Sequence, residues 1–226
     1  MAKDKKISII IPIYNQAKFI ARCLRSLCNQ SFNINQFEII IINDGSDDDP
    51  LKEIKPFMGQ ALDIIFLSNE INKGLPFSAN KGILKASSDY IIRVDADDYV
   101  NKDFLLFLYN ELQGNRTIDA LACDYIMVDD DEKFLETRNC LDYPIACGIL
   151  FKKANLLDIN LYDENFYCHE DKELRIRFEK KFIIGRLDNP LYRYRRHAAS
   201  LTNNENISNK YDKILKEKHP LEINPK

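Results

Sequence analysis

Three carboxylates crowd into four positions at Asp95-Ala96-Asp97-Asp98, directly after the apolar run Tyr90 to Val94. Buried together they repel one another and lose solvation. A divalent cation removes both costs, and hard oxygen ligands select Mg²⁺ or Mn²⁺. A cation held there can bridge the phosphates of a nucleotide and take up charge on a leaving group. The same spacing equally suits a solvated acidic turn in which Asp97 or Asp98 caps the next helix. Asn43-Asp44-Gly45-Ser46 combines turn-forming residues with a carboxylate. Glu170 and Asp171 head a helical pattern, where a carboxylate can serve as a base or simply complement the helix dipole. Arg193-Tyr194-Arg195-Arg196-His197 offers guanidinium forks suited to phosphate oxygens, or reads plainly as a solvated basic edge strand.

The elements that must position these groups alternate along the first half of the chain. Ile7 to Tyr14, Phe37 to Ile42, Leu62 to Leu67 and Tyr90 to Val94 read as strands. Between them, Ala17 to Leu27 and Leu75 to Lys85 carry helical spacing, with Pro76 tolerated in a first turn, and Leu51 to Met58 gives a short helix broken at Pro56. Strands alternating with helices imply βαβ units and a mainly parallel sheet, whose ligands bind beyond the carboxyl ends of the strands. Tyr14-Asn15, Asn43 to Ser46 and Asp95 to Asp98 all fall at such ends. The second half is less regular. Phe104 to Leu112, Ile149 to Leu157 and Glu170 to Lys180 read as helices, and Ala120 to Val128, Phe182 to Ile184 and Leu191 to Tyr194 as strands. Asp129 to Cys140 reads as a hairpin or loop.

The 226 residues are 45% hydrophobic and 30% charged, which suits a single globular α/β domain with its own core. The net charge of −3 gives no sign of nucleic-acid binding. Six scattered cysteines without a C-x-x-C pair read as reduced, mostly buried thiols of a cytoplasmic protein, and zinc is not expected. No leader or spanning segment is expected. A peripheral association with the membrane surface stays open through the basic tail, Lys213 to Lys218, whose charges otherwise read as solvated.

Taken together, Ile9-Ile10-Ile11-Pro12-Ile13-Tyr14-Asn15, Ile42-Asn43-Asp44-Gly45-Ser46, Asn72-Lys73-Gly74 with Asn80-Lys81-Gly82, and Val94-Asp95-Ala96-Asp97-Asp98 resemble family 2 glycosyltransferases of the GT-A fold, in order and approximate spacing over residues 7–200. The resemblance implies a Rossmann-like sandwich with a mixed, mainly parallel sheet flanked by helices. It implies a donor-binding half to about residue 99, an acceptor half over 100–202 and a basic tail over 203–226. It also implies inverting transfer of a hexosyl or N-acetylhexosaminyl group from a nucleotide-sugar, a UDP-sugar by preference, to a hydroxyl of a glycan or lipid-linked acceptor in bacterial surface polysaccharide assembly.

The resemblance also assigns residues. Tyr14 would stack on the base, Asp44 would accept from it, and Asp95 would bind the ribose or donor sugar. Asp97 would ligate the metal, with His197 as a second ligand. Pro12, Asn15, Asn72, Asn80 and Ala96 fall in the donor-binding set, and Arg195 or Arg196 would meet phosphate. Asp171 would be the catalytic base, with Glu170 the alternate. Where many relatives carry an arginine, this chain has Ala79, and Arg93, on the same strand face as Asp95, is expected to supply that charge. Two rivals remain at this level: a sugar nucleotidyltransferase, disfavoured because Tyr14 to Lys18 contains no glycine, and a non-catalytic sugar-nucleotide binding protein.

Overall fold

The side chains of β1 (Ile7–Ile13) divide between two cores, as the period of a strand requires. Ile7, Ile9, Ile11 and Ile13 join one apolar cluster, and Ile10 joins another on the opposite face of the sheet. In this computed structural model, which describes residues 5–59, 62–197 and 205–220, β1 is therefore a strand covered on both sides.

The first cluster is closed by α1 (Ala17–Cys28), α2 (Pro50–Ile54) and α4 (Phe104–Gly114), through Ile20, Leu24 and Leu27, through Ile54, and through Phe104, Leu105 and Leu108. The second is closed by α3 (Leu75–Lys85), α5 (Lys153–Asp158) and α6 (Glu170–Glu179), through Ala79, Ile83, Leu156, Leu174 and Phe178. Gly82 lets α3 lie close on the sheet: a Cβ there would stand 2.6 Å from Ile10 Cγ2 and 2.7 Å from Ile42 Cδ1.

The remaining strands are β2 (Phe37–Asn43), β3 (Ile64–Ser68), β4 (Tyr90–Arg93), β5 (Tyr99–Val100), β6 (Ala120–Val128), β7 (Phe134–Arg138), β8 (Ile149–Lys152) and β9 (Ile184–Arg195). They form one mixed sheet in the order β3-β2-β1-β4-β8-β6-β9-β5, with β7 paired to β6. The β3-β2-β1-β4 portion is parallel throughout, β8 joins antiparallel to β4 and to β6, and β9 runs parallel to β6. This is the Rossmann-like sandwich anticipated above. Pro12 is accommodated because the pairing of β1 with β4 ends at Ile10 opposite Arg93, so no ladder bond there needs its missing N–H.

Two expectations are corrected. Ile149–Lys152 is a strand, and the helix begins only at Lys153; a short apolar run does not distinguish the two by periodicity. The segments Phe182 to Ile184 and Leu191 to Tyr194 belong largely to one long strand, β9, whose register against β6 jumps from Cys123–Leu187 to Asp124–Pro190. Asp188, Asn189 and Pro190 imitate a turn but form the irregularity of that strand.

The tail is not simply solvated. Its helix α7 (Glu205–Lys218) packs Tyr211 and Leu215 against Phe166 and Cys168. Lys218 pairs with Asp163 at 2.6 Å and Glu173 at 2.7 Å, whereas Lys213 remains exposed. All six cysteines are free. Among the described residues no helix is long and apolar enough to cross a membrane.

Candidate active site

The parallel strands β1, β2 and β4 deliver the three polar motifs to one edge of the sheet. Asn15 adopts φ 52°, in the left-handed region that asparagine tolerates, as β1 gives way to α1. Its backbone N–H donates to Ser46 Oγ at 3.0 Å, and its Oδ1 accepts from the Asp47 N–H at 2.9 Å. Asp48 Oδ2 accepts from the Ala17 N–H at 2.7 Å, so a carboxylate from the neighbouring loop satisfies the start of α1. Tyr14 stands on this clasp with 45% of its surface exposed, which leaves a ring face open for stacking.

Asp44 is 3% exposed. Its carboxylate accepts from Asn69 Nδ2 at 2.7 Å, the Lys73 N–H at 3.0 Å and the Gly74 N–H at 2.8 Å. It therefore fixes the course of residues 69–74. Of roughly four lone-pair positions on a carboxylate, three are used. Gly45, at φ 73°, lies so close to this loop that a Cβ would stand 2.7 Å from the Asn72 N atom. Asn72 is exposed, and its Oδ1 accepts from the Gly74 N–H at 3.1 Å.

At the end of β4 the four acidic-motif positions take different roles. Asp97 Oδ2 lies 2.8 Å from His197 Nε2, across 100 positions of sequence. Phe19 of α1 packs on the His197 ring with centroids 5.0 Å apart. Burial, and then the nearby Asp95 charge, push the Asp97 carboxyl up from its ordinary value, while His197 pulls it down. Asp98 is 1% exposed, and its carboxylate accepts from the Tyr192 hydroxyl at 2.7 Å and the Arg195 N–H at 2.8 Å. Its work is to pin β9 to the motif rather than to cap α4. Tyr192 also accepts from the Asp95 N–H at 3.1 Å, which makes this fully buried ring the brace of the whole turn. Ala96 is buried beneath it.

Asp95 is gripped by Arg93, whose Nε and Nη2 donate at 2.7 and 3.1 Å, and by the Cys147 thiol at 2.8 Å. Arg93 Nη1 donates in turn to Glu170 Oε1 at 3.0 Å, so one buried guanidinium ties the acidic motif to the head of α6. Burial, and then the Asp171 charge, push the Glu170 carboxyl up to about 7 against the pull of Arg93. Asp171 follows in the first turn of α6 and is half-buried.

The arginines assigned to phosphate meet protein partners first. Arg93 is held between two carboxylates, Asp95 and Glu170. Arg195 is equally engaged: it donates to the Asp97 and Asp130 carbonyls and to Glu132, and its guanidinium lies over Phe19 and Tyr99. Of the two arginines considered for phosphate, Arg196 is the exposed one. Asn80 is 6% exposed and ties α3 to the segment before α6, donating to the Tyr162 carbonyl and Glu164 and accepting from the Tyr162 N–H. Residues 198–200 of the basic segment lie outside the described residues. The braces Tyr192 and Phe19 were missed. Both sit in ordinary apolar patterns, and nothing in their spacing marks them.

The residues present fit a hard divalent cation. Asp97 and His197 offer one oxygen and one nitrogen, and two adjacent ligands at about 2.1 Å from such an ion lie about 3 Å apart, close to the 2.8 Å between these atoms. Asp95, Asp98 and Cys147 also come within 4.8 Å of one another. Burial and the neighbouring Asp95 charge push the Cys147 thiol up; it donates to Asp95, and its soft sulfur suits a hard cation less than the carboxylates do.

The sequence matches the model of "Glycosyl transferase family 2" over residues 8–180. An uncharacterized glycosyltransferase of Bacillus subtilis, EpsJ, is 30% identical over 223 residues, covering 87% of this chain and 62% of that protein. The chain spans less than two thirds of the length of this and other curated relatives it matches. Staphylococcus aureus TarS, solved with UDP-GlcNAc, superimposes with a TM-score of 0.76 at 22% identity, covering 88% of this chain and 61% of that one. The mannosyltransferase PcManGT of Pyrobaculum calidifontis, solved with GDP-Man and Mn²⁺, does so with a TM-score of 0.70 at 14% identity, over 89% of this chain and 59% of that one.

Proposed function

Because the chain belongs to glycosyl transferase family 2, we propose that it transfers a sugar, with inversion, from a UDP-sugar to a hydroxyl of a glycan or lipid-linked acceptor in surface polysaccharide assembly on the cytoplasmic side of the membrane. The observation that carries this reading is the meeting of Asp97 and His197 at 2.8 Å beyond the end of β4, in a sheet whose parallel strands also end at Tyr14 and Asp44. The UDP-GlcNAc bound by TarS and the Mn²⁺ bound by PcManGT support it.

In this reading Tyr14 stacks on the base, and the fourth lone-pair position of Asp44 accepts a base N–H. Asn15 and Asn72 line the same edge. Asp95, held by the Arg93 fork, faces the ribose. Asp97 and His197 hold Mn²⁺ or Mg²⁺, which when bound supplies positive charge to the departing diphosphate. Arg196 adds charge from the rim. Asp171 takes the proton from the acceptor hydroxyl as it attacks the anomeric carbon, and one base acting on the incoming hydroxyl corresponds to direct displacement. Glu170, paired with Arg93, anchors the helix that carries that base.

Assays of UDP-sugars with polyol and saccharide acceptors test the proposal. Asp171→Asn is expected to lower turnover by about 10²- to 10⁴-fold with UDP affinity retained. Wild-type turnover in Asp171→Asn, or a product that retains the anomeric configuration, contradicts it.

A further inference from the structure

The turn from Asp129 to Lys133, between β6 and β7, is organised by one carboxylate: Asp129 Oδ1 accepts from the Asp131 and Lys133 N–H groups, each at 2.9 Å. It places Glu132 at φ 63°, in the left-handed region that glycine adopts freely and a long side chain does not. Strain held at a fixed place points to what the side chain touches.

Glu132 touches two guanidinium groups. Arg22 Nε, from α1, donates to both of its oxygens at 3.0 and 3.1 Å, and Arg195 Nη2 donates at 3.0 Å. Burial pushes the Glu132 carboxyl up, but the bonds from Arg195 and then Arg22 bring it below its ordinary value, so it is ionised at neutral pH. Arg22 also lies over the ring of Tyr99, the residue after Asp98, at 3.8 Å. Arg195 donates through Nε to the Asp97 carbonyl at 2.9 Å and through its backbone N–H to Asp98 at 2.8 Å. Phe19 meets both the Arg195 guanidinium and the His197 ring. Arg195 therefore stands beside the Asp97–His197 pair, and Arg22 shares its carboxylate. Among the described residues Glu132 is the one carboxylate that ion-pairs with either arginine.

Arg195 is buried, so water does little to screen its charge. Left uncompensated, that charge repels a divalent cation at Asp97 and His197, while a released guanidinium fork attracts phosphate directly. Resting on the reading of Asp97 and His197 as metal ligands, we infer that Glu132 is a positioning residue for donor binding: it holds Arg195 against the Asp97 carbonyl and cancels its charge, so that the site takes a nucleoside diphosphate together with its cation rather than the diphosphate alone. Loss of the Glu132 charge thus moves the two affinities in opposite directions. A residue that only kept the turn folded would weaken both.

The test is isothermal titration of UDP, with Mn²⁺ and with a chelator, on the full chain as wild type, Glu132→Gln, Arg22→Gln and the two substitutions together. In Glu132→Gln the strengthening of UDP binding by Mn²⁺ should fall about ten-fold or more, and metal-free UDP should bind about three-fold tighter or more. Arg22→Gln leaves Glu132 wholly to Arg195 and should keep or raise the Mn²⁺ effect. The double variant restores the charge count and should recover part of what Glu132→Gln loses. An unchanged Mn²⁺ effect in Glu132→Gln, a loss of UDP binding by the same factor with and without metal, or a lowered Mn²⁺ effect in Arg22→Gln overturns the inference while leaving the metal site standing. Absence of any Mn²⁺ effect in the wild type would instead strike the metal-site reading, and the inference with it.

Discussion

Replacing Asp44 by alanine removes the acceptor of three hydrogen bonds, from Asn69 Nδ2 and from the Lys73 and Gly74 N–H groups. Bonds to a charged partner contribute about 1.5–3 kcal/mol each, so the nominal sum is about 4.5–9 kcal/mol. Much of that is not lost. The variant no longer keeps a carboxylate at 3% exposure, and Lys73, at the exposed side of the loop, can turn its N–H to water. What remains is that the Gly74 N–H and Asn69 Nδ2 lose their charged acceptor and keep only a neutral one, Asn72 Oδ1 and Ser78 Oγ, which puts each in the lower part of the range of about 1–3 kcal/mol for a buried donor and gives an expected loss of about 2–4 kcal/mol. In a domain of this size that lowers Tm by about 4–16 °C. Urea denaturation of wild type, Asp44→Ala and Asp44→Asn measures it directly. UDP affinity should fall in Asp44→Ala as well, because residues 69–74 lose their anchor. If Asp44→Ala unfolds within about 0.5 kcal/mol of wild type, the size of a neutral surface change, Asp44 does not organise the loop and the argument fails.

Other expectations follow from single contacts. Gly82→Ala should destabilise the fold by about 1–3 kcal/mol, the usual cost of overpacking, because its Cβ would meet Ile10 and Ile42 at 2.6 and 2.7 Å; a stabilised variant would mean that α3 can lift at no cost. Glu173→Ala should cost about 3–5 kcal/mol in chemical denaturation, the range for breaking a buried ion pair, because this fully buried carboxylate serves Arg177, Lys218 and His219; a loss under about 1 kcal/mol would show that α7 is not held through it. Glu170 titrates at about 7 in the fold against an ordinary 4.5. The folded state therefore binds its proton more tightly, and this group's contribution to stability is present below pH 4.5 and is lost as pH rises towards 7. Glu170→Gln should flatten that part of the stability profile, and an unchanged profile would count against the assignment.

Much of the first half of the chain was legible because its signals are local. Isoleucine runs long enough for one strand, ended by Asn43-Asp44-Gly45-Ser46 or Asp95-Ala96-Asp97-Asp98, fix both the element and the place where it stops. Leu75–Lys85 and Ala120–Val128 were read to the residue for the same reason. The partnership of Asp97 with His197 was reachable only through the family's pattern, since nothing local links positions 100 apart. The partners of the arginines were not legible, because charge in a sequence does not say whether a carboxylate waits for it. Arg93 meets Asp95 and Glu170, and Arg195 meets Glu132 and two carbonyls, through contacts that only the folded sheet creates. The tail shows the same limit. Tyr211 and Leu215 look like isolated apolar residues in a basic helix until Phe166 and Cys168 are brought beside them. Asp188-Asn189-Pro190 has the residue types of a turn, and the fold places them at an irregularity within β9.

The central claim is that Asp97 and His197 hold a divalent cation that binds the donor diphosphate. Isothermal titration of UDP with Mn²⁺ and with a chelator, on wild type, Asp97→Ala and His197→Ala, tests it most directly. The account predicts that Mn²⁺ strengthens UDP binding to wild type by about ten-fold or more, equivalent to at least about 1.4 kcal/mol. It further predicts that Asp97→Ala abolishes this gain and His197→Ala diminishes it. Equal UDP affinity with and without Mn²⁺ in the wild type, or a metal-dependent gain that survives Asp97→Ala, would contradict it.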